Sequence, residues 1–236
     1  MLSKAGIYGI MRVSIGLFPD ILREWSPILL LLAIIGVLYG AFAAWSQTDF
    51  KRLIAYSSFS HVNFVLAGLF VWNQMANSGA ILQAVNHAVS ITGLFLVAGW
   101  LEARLGTTQF GSVSGLAQYL PRLAWLTLFF VMSAVALPGL NNFVSEIMLL
   151  YGVFQANYWL AAILGTTVIL SILYMLRWIH SIYFDIPSPY QQRWIDIKAK
   201  DLLVAAPLVV LIFWLGMYPA TILQAVEPSA EKMEKQ

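Results

Sequence analysis

The sequence predicts an all-α fold, a polytopic membrane helix bundle forming one transmembrane domain over residues 1–236, and three observations predict it. Of the 236 residues, 60% are hydrophobic and only 10% charged, against roughly 25% charged in an ordinary soluble domain. Seven stretches are apolar over about the 20 residues that a membrane helix needs. The longest polar stretches, 102–121 and 184–201, are loop-sized and leave no room for a large water-soluble domain.

The seven stretches are 3–18, 27–46, 53–72, 79–101, 121–154, 159–184 and 202–223. The first is short, carries Lys4 followed by small residues, and is polar enough to be partly shielded by protein. Its residues read as the inside of a helix, with no small-x-small cleavage pattern after a clean apolar run, so no cleavable leader is expected. Thr48 or Asp49 is placed to cap the helix that follows the turn "QTDFKRL". Arg177 and His180, near the end of the sixth stretch, read as interface anchors.

The fifth stretch is too long. At about 1.5 Å per residue, 121–154 would make a helix of roughly 50 Å, against a hydrocarbon core about 30 Å thick. A break near Pro138 resolves this, because Pro138 removes a backbone donor, Gly139 relaxes the chain, and Asn141 and Asn142 can satisfy freed amides and carbonyls. Unwound backbone survives at membrane depth only where protein or a wet cavity covers it. The expectation is one discontinuous helix whose break faces something polar.

Lys51 and Arg52, Arg104 and Arg122, and Arg193, Lys198 and Lys200 fall in alternate loops, whereas 73–78 and 156–158 carry no cation. By the positive-inside rule the basic loops face the cytoplasm or its equivalent; Arg23 is a mild exception.

Ionisable groups at membrane depth are costly and usually face a bundle interior, a partner or water. Four stand out: Lys4, His61, His87 and Glu146. Glu146 lies one to two turns beyond the break, so it either complements a half-helix N-terminus or exchanges protons or cations. His87 shares a helix face with Gln83 and Ser90, and His61 lies among Ser57, Ser58, Ser60 and Asn63, so each is either a satisfied structural imidazole or part of a polar path.

Other classes fall away. A net charge of +2 with dispersed cations gives no nucleic-acid surface, and the absence of cysteine rules out thiolate zinc and cysteine-held iron–sulfur clusters within this chain. Three histidines on three helices lack metal-ligand spacing, and no phosphate loop or nucleophile elbow occurs, so no catalytic, cofactor or metal residues are expected.

The stretches "WSQTDFKRLIAYSSFSHVNFVLAGLF" and "LPGLNNFVSEIMLLYGVF" make the chain resemble the antiporter-like membrane subunits of respiratory complex I, NADH-quinone oxidoreductase, and most closely their subunit M branch. The resemblance covers nearly the whole chain and weakens after about Pro187. It implies two inverted repeats with one discontinuous helix each, of which this chain is similar to the second repeat plus flanking helices. It further implies that Lys4, His61, His87 and Glu146 match the family's axis lysine, two histidines and exit-path acid, on its eighth, tenth, eleventh and twelfth helices. Asn142 and Ser145 stand where many relatives have glycines, and the paired lysine and glutamate of earlier helices have no counterpart here.

What the resemblance implies for function is the exit part of a proton channel coupled to quinone reduction elsewhere. The redox groups (FMN, iron–sulfur clusters, quinone) are expected on partner subunits and no cofactor on this chain. Expected partners are other membrane-arm subunits, neighbouring antiporter-like subunits, the lipid bilayer, and a companion chain supplying the earlier helices if the gene is split; nucleic acid is not expected. The expected location is an energy-transducing membrane, the bacterial inner membrane first. A cation/proton antiporter complex, a membrane-bound hydrogenase and a non-conducting structural subunit are the alternatives.

Overall fold

The structure, a computed structural model, describes residues 2–111, 113–186 and 194–235; Arg193, counted above among the basic loops, lies outside them. The described residues form helices α1 (Leu2–Gly9, continued by wider turns over Ile10–Ile15), α2 (Pro19–Ser46), α3 (Phe50–Phe70), α4 (Gln74–Leu105), α5 (Pro121–Ala134), α6 (Asn141–Ala156), α7 (Tyr158–Ile179, continued by wider turns over His180–Phe184), α8 (Ala199–Met217) and α9 (Ala220–Lys235). Five of them, α2, α3, α4, α7 with its continuation, and α8, are long and apolar enough to cross a membrane. The fifth predicted stretch is a broken pair: α5 and α6 have 14 and 16 residues, about 21 and 24 Å each at 1.5 Å per residue.

Two predicted boundaries are corrected. The second helix begins at Pro19 rather than at residue 27, with Pro27 inside it. Proline in a helix leaves the carbonyl four residues back without its donor; here the Ser26 hydroxyl donates to that carbonyl, Arg23 O, at 2.8 Å, so the helix runs through. At the other end, 202–223 is not one helix. The backbone leaves the helical region at Tyr218 (φ −130°, ψ 61°), Pro219 has no N–H to continue the ladder, and α9 packs along α4 with Val226 and Ala230 buried.

Caps fix the other ends. Asp49 accepts from Arg52 N at 2.9 Å and starts α3, Asn73 accepts from Ala76 N at 3.1 Å and starts α4, and Gly106 at φ +68° ends α4. At this basic end of the bundle Lys51 pairs with Glu102, and the 194–197 segment straps the helix ends. Arg104 Nε donates to Ile195 O (2.9 Å), Trp194 Nε1 donates to Arg104 O (3.1 Å), and the Asp196 carboxylate accepts from Arg122 N (2.8 Å) and Leu123 N (3.2 Å), the first free amides of α5.

Two apolar cores divide the bundle. One includes Phe50, Leu53, Leu101, Leu123, Trp178 and Tyr183, towards the basic end. The other includes Phe64, Leu69, Ala76, Ala80, Leu149, Val153 and Leu164, towards the Asn73 end. In this second core α4 and α6 pass at backbone contact: a Cβ on Gly79 would lie 2.5 Å from Leu149 N, and one on Gly152 2.2 Å from Ala76 N. Only glycine allows that approach. Between the cores lies a belt of buried polar side chains.

Candidate functional site: a buried polar belt

The belt is built on the break. Leaving α5, Ala136 takes φ +57° and Gly139 φ +91°, so the chain turns over 135–140 and restarts as α6. Pro138 and Gly139 sit in the turn, whereas Asn141 and Asn142 are the first residues of α6 and bond back across the gap. Asn141 Oδ1 accepts from Ser133 Oγ (2.7 Å) and Ser90 Oγ (3.2 Å), and Asn142 Nδ2 donates to Ser133 O (2.9 Å) and Ser90 Oγ (3.2 Å). Helix α8 presses on the same turn, since a Cβ on Gly216 would meet Gly139 O at 2.5 Å. The break thus faces buried amides and hydroxyls, as the length argument required.

Helix α4 carries the matching stripe. Asn86 and Asn141 each donate an amide hydrogen to the other's backbone carbonyl, at 2.6 and 2.8 Å. Asn86 also reaches Ser145 Oγ (3.1 Å), Ser145 Oγ donates to the Gln83 side-chain oxygen Oε1, and Gln83 Nε2 donates to Glu146 Oε1 at 3.0 Å. Asn142 and Ser145 therefore tie the first turn of α6 to α4. Glu146, only 4% exposed, accepts from Gln83 and lies beside His61, in the second turn of α6.

The acid and both histidines come together. His61 Nε2 lies 3.5 Å from Glu146 Oε1, an ion-pair distance rather than a hydrogen bond. The other nitrogen, Nδ1, is 2.9 Å from Ser57 O. A carbonyl only accepts, so Nδ1 carries the hydrogen and Nε2 is the nitrogen turned to Glu146. The His61 and His87 rings are stacked, centroids 4.7 Å apart and 6° from parallel. His87 Nε2 lies 3.3 Å from Ser58 Oγ of α3, not from Gln83 of its own helix. Lys4, half-buried on α1, has an ammonium nitrogen with no hydrogen-bond partner among the described residues.

Of the belt members, Asn86 on α4 and Thr167, Ser171 and Tyr174 on α7 were not singled out from the sequence. Gln83, Asn86 and Ser90 form one polar stripe at i, i+3 and i+7 of an apolar helix, and Thr167, Ser171 and Tyr174 form another on α7, where Tyr174 donates to Ser57 Oγ at 2.9 Å. Polar stripes on apolar helices are the readable signal. Arg177, expected as an interface anchor, donates to Gln47 O at 2.6 Å with its guanidinium 5.5 Å from the Trp45 ring centre.

Apolar spanning helices, one of their segments broken, and a polar belt enclosed between two apolar cores define a polytopic integral membrane protein of the antiporter-like kind. The chain belongs to the NADH:quinone oxidoreductase/Mrp antiporter transmembrane family, whose sequence model matches residues 1–171. It is 40% identical over 233 residues to NADH-quinone oxidoreductase subunit M of Mycobacterium tuberculosis (strain ATCC 25618 / H37Rv), covering 98% of this chain and 42% of that protein. To subunit M of Escherichia coli (strain K12) it is 37% identical over 225 residues, covering 94% and 44%. The chain spans about half the length of the curated relatives it matches.

Among solved structures it superposes on a chain of respiratory complex I from Thermus thermophilus with bound NADH at a TM-score of 0.90 and 34% identity, covering 98% of this chain and 49% of that one. A chain of the Mrp complex from Dietzia sp. gives 0.88 at 20% identity, covering 98% and 51%, a likeness of fold.

Proposed function

We propose that this chain supplies the exit part of a proton path in the membrane arm of an NADH:quinone oxidoreductase. The observation that carries the reading is the contact of Glu146 with His61, inside a belt that holds a carboxylate, two imidazoles and a nearby ammonium between two apolar cores. A proton passes from Lys4, by way of water and the stacked imidazoles, to His61 Nε2 and Glu146, which releases it on the side away from the basic loops. Lys4 Nζ has no hydrogen-bond partner among the described residues, so water is the link that connects it. Quinone reduction elsewhere in the assembly drives the shift; FMN, iron–sulfur clusters and quinone belong to partner subunits, and this chain contributes no redox centre.

In the same reading the described helices are the second of two inverted repeats with flanking helices, making about seven crossings when α1 and the α5–α6 pair are included. The chain sits in an energy-transducing membrane, the bacterial inner membrane first, beside other antiporter-like subunits. The half of the fold that relatives carry beyond this chain packs on α1, where a Cβ on Gly6 or Gly9 meets nothing within 4 Å. A companion polypeptide carrying that half is the split-gene arrangement; two peptides in the purified assembly support it and one longer polypeptide removes it.

The test is proton pumping by the intact assembly in sealed vesicles, wild type against Glu146→Gln at matched assembly and electron-transfer capacity. Lost pumping supports the reading. Unchanged pumping overturns it in favour of a structural membrane-arm subunit.

A further inference from the structure

Below the basic end, the outer faces of α2 and α3 enclose a groove of about 180 Å³ lined by Tyr39, Ala55, Tyr56 and Phe59. The two helices cross at backbone contact beside it, since a Cβ on Gly40 would meet Ser60 N at 2.8 Å, and this fixes the spacing of the groove's walls. Tyr39 meets both aromatic rings of α3 edge to face, its ring centre 6.4 Å from that of Tyr56 and 6.2 Å from that of Phe59. The rings hold one another yet stay open to the outside, Tyr39 being 59% exposed and Phe59 46%. Neither phenol has a hydrogen-bond partner among the described residues.

Arg52 belongs to the same face. Arg52, Ala55, Tyr56 and Phe59 fall at i, i+3, i+4 and i+7 of α3, while Leu53, Ile54, Ser57 and Ser60 are buried in the bundle. Side chains lean towards the start of their helix, and α3 starts at the basic end, so the guanidinium stands about one turn nearer the surface than the Tyr56 phenol. Its neighbours leave it without a counter-charge: Lys51 pairs with Glu102, the Asp49 carboxylate accepts from Arg52 N and Thr108 Oγ1, and the Arg52 guanidinium has no anionic partner among the described residues. A helix of another protein is roughly 10–12 Å across, too wide for this groove. An apolar cavity of about 150 Å³ takes a benzene-sized group, so a stretch of hydrocarbon chain has room here. We propose that the α2–α3 groove binds one anionic phospholipid of the leaflet on the basic side. The phosphate lies on Arg52, the ester oxygens accept from the Tyr39 and Tyr56 phenols, and the start of one acyl chain lies against Ala55 and Phe59. Anionic lipids enrich the cytoplasmic leaflet, the side to which the basic loops belong by the positive-inside rule.

The site lies outside the polar belt and stands whatever path a proton takes. To test it, the intact assembly is reconstituted into vesicles doped with phosphatidylglycerol or phosphatidylcholine, each carrying a diazirine in the upper half of one acyl chain, and the cross-linked peptides are mapped after illumination. The phosphatidylglycerol probe should label the segments holding Tyr39 and Phe59 about fivefold more than the phosphatidylcholine probe, the preference that one cation at the surface confers. Arg52→Gln should abolish that preference, and Arg52→Lys, which keeps the charge, should restore it. If Arg52→Gln fails to assemble, the double variant Tyr39→Phe with Tyr56→Phe takes its place. It should lower labelling by both probes, because the ester oxygens lose their donors whatever the headgroup. Equal labelling by the two probes in wild type marks ordinary bilayer lipid at this face and overturns the site, as does a preference that survives Arg52→Gln or a double variant labelled like wild type. Absence of label from these segments with either probe also overturns it, the groove then being covered by a protein neighbour.

Discussion

Asn86 and Asn141 hold each other by the backbone: each side-chain amide donates to the other's carbonyl, at 2.6 and 2.8 Å, across the seam between α4 and the restarted half of the broken helix. The pair ties the first turn of α6 to a continuous helix.

Asn141→Ala should therefore be costly. It removes the donor to Asn86 O and the acceptor of Ser133 and Ser90, leaving buried polar groups unmet at about 1–3 kcal/mol each. The expected result is a lower melting temperature of the purified assembly, or loss of assembly. A melting curve that overlays wild type would show that the clamp carries no stability.

Gln83→Leu acts on chemistry more than on folding. Gln83 is the amide that donates to Glu146, and losing a hydrogen bond to a charged group is worth roughly tenfold in rate at the low end of its range. Coupled turnover should fall by about that factor while the complex still assembles, measured as quinone reduction with and without an uncoupler. An unaltered coupled rate would remove Gln83 from the path.

Gly152→Ala tests the glycine seam. Its new Cβ meets Ala76 N at 2.2 Å, backbone that cannot yield as a side chain can, so α4 and α6 must separate at an overpacking cost of about 1–3 kcal/mol. Thermal denaturation in detergent reads the loss. Gly99→Ala, where nothing lies within 4 Å of the added carbon, is the control that should leave stability in place.

Asp196→Ala removes a cap supplied from a distant loop. Two amides of α5 lose their acceptor, which should cost about 0.5–2 kcal/mol and leave pumping per electron pair unchanged. Altered pumping in this variant would mean that the basic end takes part in translocation.

Much of the fold was legible because it follows from lengths. Residues 121–154 exceed the bilayer, Pro138 and Gly139 mark where they give way, and the structure turns at 135–140. The gathering of His61, His87 and Glu146 was legible in outline, since costly groups on apolar helices must share an interior. Their partners were not. Gln83 lies four residues before His87 and was read as its neighbour, yet it serves Glu146, while His87 reaches Ser58 on another helix. Helix spacing fixes which face a side chain is on but not which of two facing helices it meets. The start of α2 and the end of α8 were misplaced for a different reason: Ser26 repairs the defect that Pro27 makes, whereas no side chain among the described residues does so at Pro219.

The apolar core that closes the bundle between Glu146 and the Asn73 end has an electrical consequence. Phe64, Leu149, Val153 and Leu164 are all 3% exposed or less, and so form a thin dry layer of low permittivity beside a polar belt. Voltage across a membrane falls mostly where permittivity is lowest, so this layer takes a large share of it. On the proposed exit path, each charge that crosses does work of about 2.3 kcal/mol per 100 mV, and much of that work falls at these few side chains.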